Sequence, residues 1–171
     1  MKPSRNAAPG RKPKPKPRSK AAAAKIEIPT AAVETRLREL YPAKAVDHML
    51  HPRNRGRIAR PAGYAKVESG PGESVEFFID LRGGTVTACL FETDGCAATL
   101  ACASAATELA LGRTADEILG DLSPAAIIEA LGGLPPGNTH CAGFVARALR
   151  TAVLDARTPG AEPWKKLYRR F

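Results

Sequence analysis

Two cysteines in this chain open helical runs. Cys96 follows Thr93-Asp94-Gly95 and precedes the Ala- and Leu-rich stretch Ala97 to Leu111, while Cys141 follows Leu-Pro-Pro-Gly-Asn-Thr-His140 and opens the run Cys141 to Ala156. The free N–H groups and partial positive charge of a helix start favour thiolate over thiol. Thiolate is the form that binds metal or accepts sulfur, so two such helix starts converging would create a site for either chemistry.

Other side chains with metal-binding potential have plainer readings. Cys89 falls inside a strand candidate, and Cys102 is six residues past Cys96, about 240° around a helix and therefore facing away from it. Both read as small buried hydrophobes. His48 and His51 lie three apart near a Pro-terminated helix end, where capping or loop hydrogen bonds are the expectation rather than a metal.

The elements that must position the two helix starts follow from pattern. Tyr64 to Glu68, Ser74 to Leu81 and Thr85 to Thr93 read as strands, with Arg82-Gly83-Gly84 as a hairpin turn and Ser69-Gly-Pro-Gly72 as the preceding loop, Glu73 just beyond it. Helices are expected over Thr30 to Tyr41, Pro42 to Leu50 and Ala97 to Leu111, then two short ones capped by Thr114 and Ser123. A three-stranded antiparallel sheet packed against several helices is an α+β fold.

Length and charge bound the rest. A chain of 171 residues fits one domain with tails. The formal charge is +9, yet residues 1–25 hold nine Lys or Arg and no acid, which leaves 17 basic and 17 acidic residues elsewhere. Residues 1–28 form a Lys/Pro/Ala-rich tail that is expected not to fold alone, with weak polyanion binding by residues 1–25 as its functional alternative. Residues 30–157 are the expected domain, and 158–171 a basic amphipathic extension carrying Trp164, Leu167, Tyr168 and Phe171 at helical spacing. Four irregularly spaced cysteines suit a reducing cytoplasm, and no apolar run reaches the roughly 20 residues of a transmembrane span.

From Tyr41 to about Arg157 the chain resembles the NifU/IscU iron-sulfur cluster assembly scaffolds. The resemblance rests on Val46-Asp47-His48 followed by Pro52-Arg53-Asn54 and Gly56, on Thr93-Asp94-Gly95-Cys96-Ala97, and on Leu134-Pro135-Pro136 leading to His140-Cys141, in family order. It implies a domain on which a transient [2Fe-2S] cluster is built from iron and from sulfur supplied by a cysteine desulfurase, then passed to recipient apoproteins. By position, Cys96 matches the family's second cysteine, His140 its histidine and Cys141 its third cysteine.

Three departures matter. Where the family has Ala-Cys-Gly-Asp, Gly70-Pro71-Gly72-Glu73 stands, so Pro71 replaces the first ligand cysteine and Glu73 keeps a carboxylate with longer reach. Asp94 replaces an aromatic residue and puts another carboxylate beside Cys96. Gly137-Asn138 replaces the Val-Lys that ends the segment bound by a dedicated chaperone, which argues against that contact.

The expected ligand set is thus Cys96, His140 and Cys141, completed by Glu73 or Asp94, for a labile [2Fe-2S] cluster or iron. Two Cys, one His and a carboxylate or open position equally describe a zinc site, which makes a zinc-binding persulfide acceptor the alternative, and an interaction module of the same fold a further one. No nucleophile with both a base and an orienting partner is evident, so no enzyme is expected.

Overall fold

The pattern of β-branched and aromatic residues between Gly63 and Thr93 builds a sheet. In the computed structural model, which describes residues 30–69 and 72–158, strands β1 (Gly63–Glu68), β2 (Ser74–Arg82) and β3 (Thr85–Thr93) form an antiparallel meander in the order β1-β2-β3. Register places Val75, Phe77 and Ile79 opposite Thr93, Phe91 and Cys89. With a side-chain period of two, these residues share one face, where Val75, Phe77, Ile79, Cys89 and Phe91 join the core. Phe78, on the opposite face, is also buried and stacks at 5.3 Å on Tyr64 of the neighbouring strand.

The helices are α1 (Thr30–Leu40), α2 (Ala43–Leu50), α3 (Ala97–Ala110), α4 (Ala115–Asp121), α5 (Pro124–Ala130) and α6 (Thr139–Ala156), the last preceded by a 3₁₀ turn at Pro136–Asn138. Helix α6 lies on β1 and β2, and α3 packs on β3, α2, α5 and α6. Helix α3 occupies the centre because its sequence, AATLACASAATELA, is nearly all small: Ala98, Thr99, Ala101, Cys102, Ala103 and Ser104 are all buried. A helix without a polar face is stable only when covered on all sides, and small side chains let its neighbours approach closely.

Local signals account for the boundaries. Thr114 and Glu117 complete a reciprocal capping box at α4, and the Ser123 hydroxyl accepts from Ala126 N–H ahead of Pro124 at α5. Helix α6 begins at Thr139, two residues before the expected Cys141, because the 3₁₀ turn feeds directly into it. The free edge of β3 is covered by the Pro52 to Gly56 loop: Phe91 N–H donates to Asn54 carbonyl at 3.0 Å and Gly56 N–H to Phe91 carbonyl at 2.8 Å. Asn54, at φ 58°, takes the left-handed conformation that this turn requires.

Among the described residues no helix is long and apolar enough to cross a membrane. The expected basic tail, Pro71, expected in place of a first ligand cysteine, and residues 159–171 of the C-terminal extension lie outside the described residues.

Candidate metal centre

Strand β3 delivers the first half of the site. After Thr93 the chain turns sharply, held by Thr93 Oγ1 donating to Ser74 carbonyl at 2.6 Å and Gly95 N–H donating back to Thr93 Oγ1 at 3.0 Å. Cys96 follows as the N-cap residue of α3, in extended conformation and exposed. The first turn of α6 brings Cys141 to its sulfur.

The two sulfurs, 45 residues apart in sequence, lie 3.9 Å from each other. A carboxylate oxygen of Glu73 joins them, and the three donor atoms all fall within 4.8 Å of one another. Two thiolates bound at about 2.3 Å to one tetrahedral ion lie about 3.8 Å apart, so the pair is spaced to share a single metal atom. This donor set, two sulfurs and one oxygen with one position left, suits zinc or iron.

Electrostatics separates the two thiols. Burial works against ionising Cys96, but hydrogen bonding by Thr99 and then Ala98 at the start of α3 outweighs it and holds the Cys96 thiol below its ordinary value. Cys141 is buried, and that burial, together with the neighbouring charge at Cys96, pushes its thiol up. The pair thus carries its first negative charge on Cys96, at the helix start.

The remaining expected ligands are placed differently. His140 is exposed on the first turn of α6 with Nε2 3.5 Å from Cys141 Sγ, beside the cluster rather than among the three mutually close donors. Asp94 is engaged elsewhere: its carboxylate accepts from Ser74 N–H, which holds it below the usual carboxylate range. It ties the end of β3 to the start of β2.

Cys89 and Cys102 are buried, and burial pushes Cys89 up to about 12. Cys102 is raised by burial first and then by charge at Cys141 and Cys96, so it lies within electrostatic reach of the pair despite its offset around α3. The histidine pair divides as well. His51 is exposed beside Asp47, but His48 is no mere loop contact: it is buried with Nδ1 2.8 Å from Ser104 Oγ, tying α2 to α3. Ser104 Oγ also accepts from Arg53 N–H at 2.8 Å, and Asn54 Nδ2 donates to Thr107 Oγ1 at 3.0 Å. The Asp47-His48 and Pro52-Arg53-Asn54 motifs therefore clip the β3 edge loop onto α3.

One residue of the site, and one near it, escaped sequence reasoning. Thr99 donates to Glu73 Oε1 at 2.7 Å and lies 3.5 Å from Cys96 Sγ. Tyr41, just past α1, donates its hydroxyl to Asn138 Oδ1 at 3.2 Å, and its phenol is raised by burial and by charge at Cys96 and Cys141. The signal for Thr99 was a hydroxyl three residues past an N-terminal cysteine.

A sequence profile of the NifU-like N terminal domain matches residues 40–159. The chain belongs to that family. The iron-sulfur cluster assembly scaffold proteins IscU 1 and IscU 2 of Archaeoglobus fulgidus are each 38% identical to it over 117 residues, 68% of this chain and 76% of theirs. The scaffold protein IscU of Aquifex aeolicus is 31% identical over 118 residues, 67% of this chain and 74% of its own. The crystal structure of a candidate SUF-system cluster assembly scaffold from Fervidobacterium islandicum superposes with a TM-score of 0.54 at 17% identity, over 66% of this chain and 96% of that one, and shares the fold. In this NifU-like domain the converging helix starts, Cys96 on α3 and Cys141 on α6, form the candidate centre.

Proposed function

We propose that this NifU-like domain is an iron-sulfur cluster assembly scaffold whose cargo, iron or a labile [2Fe-2S] cluster, is held by Cys96, Cys141 and Glu73. The observation that carries the reading is the 3.9 Å approach of two thiols from distant parts of the chain, with a carboxylate alongside. His140 stands next to Cys141 and supplies the fourth ligand by a side-chain rotation. Mixed sulfur, oxygen and nitrogen ligation holds iron less firmly than four thiolates, which suits cargo that must leave. Sulfur comes from a cysteine desulfurase and the product goes to recipient apoproteins, with no reaction catalysed on a small-molecule substrate.

Anaerobic reconstitution with iron and sulfide tests this. The wild type should develop visible thiolate-to-iron absorption and pass it to an apo-ferredoxin, and Cys96→Ala should develop none. A folded protein that stays colourless would contradict the scaffold reading. The spacing of the thiols also fits one zinc ion, and stoichiometric zinc in a colourless protein would favour a persulfide acceptor in its place.

A further inference from the structure

The donors Cys96 and Cys141 sit on helix starts, but Glu73 sits in the loop before β2, on a side chain with three rotatable bonds. Something must hold its carboxylate at the thiols. The only hydroxyl recorded within hydrogen-bond distance of both Glu73 and a site sulfur among the described residues is that of Thr99, 2.7 Å from Glu73 Oε1 and 3.5 Å from Cys96 Sγ. A hydroxyl has one proton, and the shorter contact assigns it to the carboxylate.

Thr99 is itself fixed. It is fully buried on the first turn of α3, and its branched Cβ limits it to few rotamers. Its methyl group rests against Gly95: a Cβ built on Gly95 would stand 2.9 Å from Thr99 Cγ2, 3.0 Å from Thr99 Cβ and 3.1 Å from Glu73 Oε1. The bare backbone at position 95 is thus the seat on which the Thr99–Glu73 pair rests.

We propose that Thr99 is a positioning residue that holds the Glu73 carboxylate against the Cys96–Cys141 pair and so supplies the centre with its oxygen ligand. This deepens the metal-centre reading and rests on it. Partners that orient a ligand from behind typically contribute 10- to 100-fold in metal affinity. The longer reach of Glu73 makes such an anchor more necessary, because each extra rotor disperses the carboxylate.

Cobalt(II) alone is the probe, added anaerobically to the full chain. Thr99→Val, which keeps shape and branching, should weaken cobalt binding by about 10- to 100-fold while the sulfur-to-cobalt charge-transfer intensity per bound ion stays unchanged. Thr99→Ser should restore near wild-type affinity. Because Thr99 acts through Glu73, Thr99→Val combined with Glu73→Gln should bind no more weakly than Glu73→Gln alone. Wild-type affinity in Thr99→Val, or losses that multiply in the double variant, would overturn the proposal. A second readout needs no metal: side-chain three-bond NMR couplings should show one Glu73 rotamer in the wild type and averaging in Thr99→Val. If the wild type binds no cobalt but these couplings change as expected, the metal reading falls and the positioning role stands; averaging already present in the wild type removes the role.

Discussion

Cys96 Sγ and Cys141 Sγ meet at 3.9 Å, yet one thiol is drawn below its ordinary value of 9.0 and the other pushed above it. In metal-free protein, alkylation should therefore begin at Cys96, with a pH midpoint below 9.0, and reach Cys141 only at higher pH. Mass-resolved labelling across a pH series measures both. Cys89 and Cys102, both buried, should stay unlabelled until the protein unfolds. Equal rates at Cys96 and Cys141 would contradict the assignment of the first charge.

The His48–Ser104 bond makes stability depend on acidity. Burial, and then the positive charge of Arg53, lower the His48 value from 6.5, so the folded protein keeps the ring neutral while the unfolded chain protonates first. Stability should be fully present above about 6.5 and fall as pH drops through that value towards the lowered one. The denaturation midpoint of the wild type should show this slope, and His48→Gln should reduce it. Ser104→Ala leaves His48 Nδ1 and Arg53 N–H without their partner and should cost about 1–3 kcal/mol.

Gly63 is the point where β1 touches α6. An added Cβ would stand 2.2 Å from Ala152 carbonyl and 2.8 Å from Ala156 N, backbone that cannot step aside without moving the helix. Gly63→Ala should destabilise the protein by about 1–3 kcal/mol or more, read as a fall in thermal midpoint. Since α6 carries Cys141, cobalt affinity should weaken as well. An unchanged midpoint would mean that the helix and strand are not in this contact.

Much of this was legible in the sequence. The strands reveal themselves by composition and by Gly83-Gly84, the short helices by Thr114 and Ser123, and the site by two cysteines that each open a helix. Direction was harder to read. Asp94 adjoins Cys96 in the chain, but adjacency does not say where a carboxylate points, and Ser74 N–H captured it. Thr99 and Ser104 look like ordinary small residues of an Ala-rich helix, and only packing shows that one meets Glu73 and the other His48. Tyr41 reads as the end of an apolar stripe, yet its hydroxyl reaches across 97 positions to Asn138.

Cys96 and Cys141 should bind one metal atom through both thiolates. X-ray absorption at the zinc edge of anaerobically zinc-loaded protein tests it directly. Two sulfur neighbours at about 2.3 Å are expected, with oxygen or nitrogen completing the shell, and one sulfur in Cys141→Ala. A zinc environment without sulfur, or wild-type protein that takes up no zinc while folded, would contradict it.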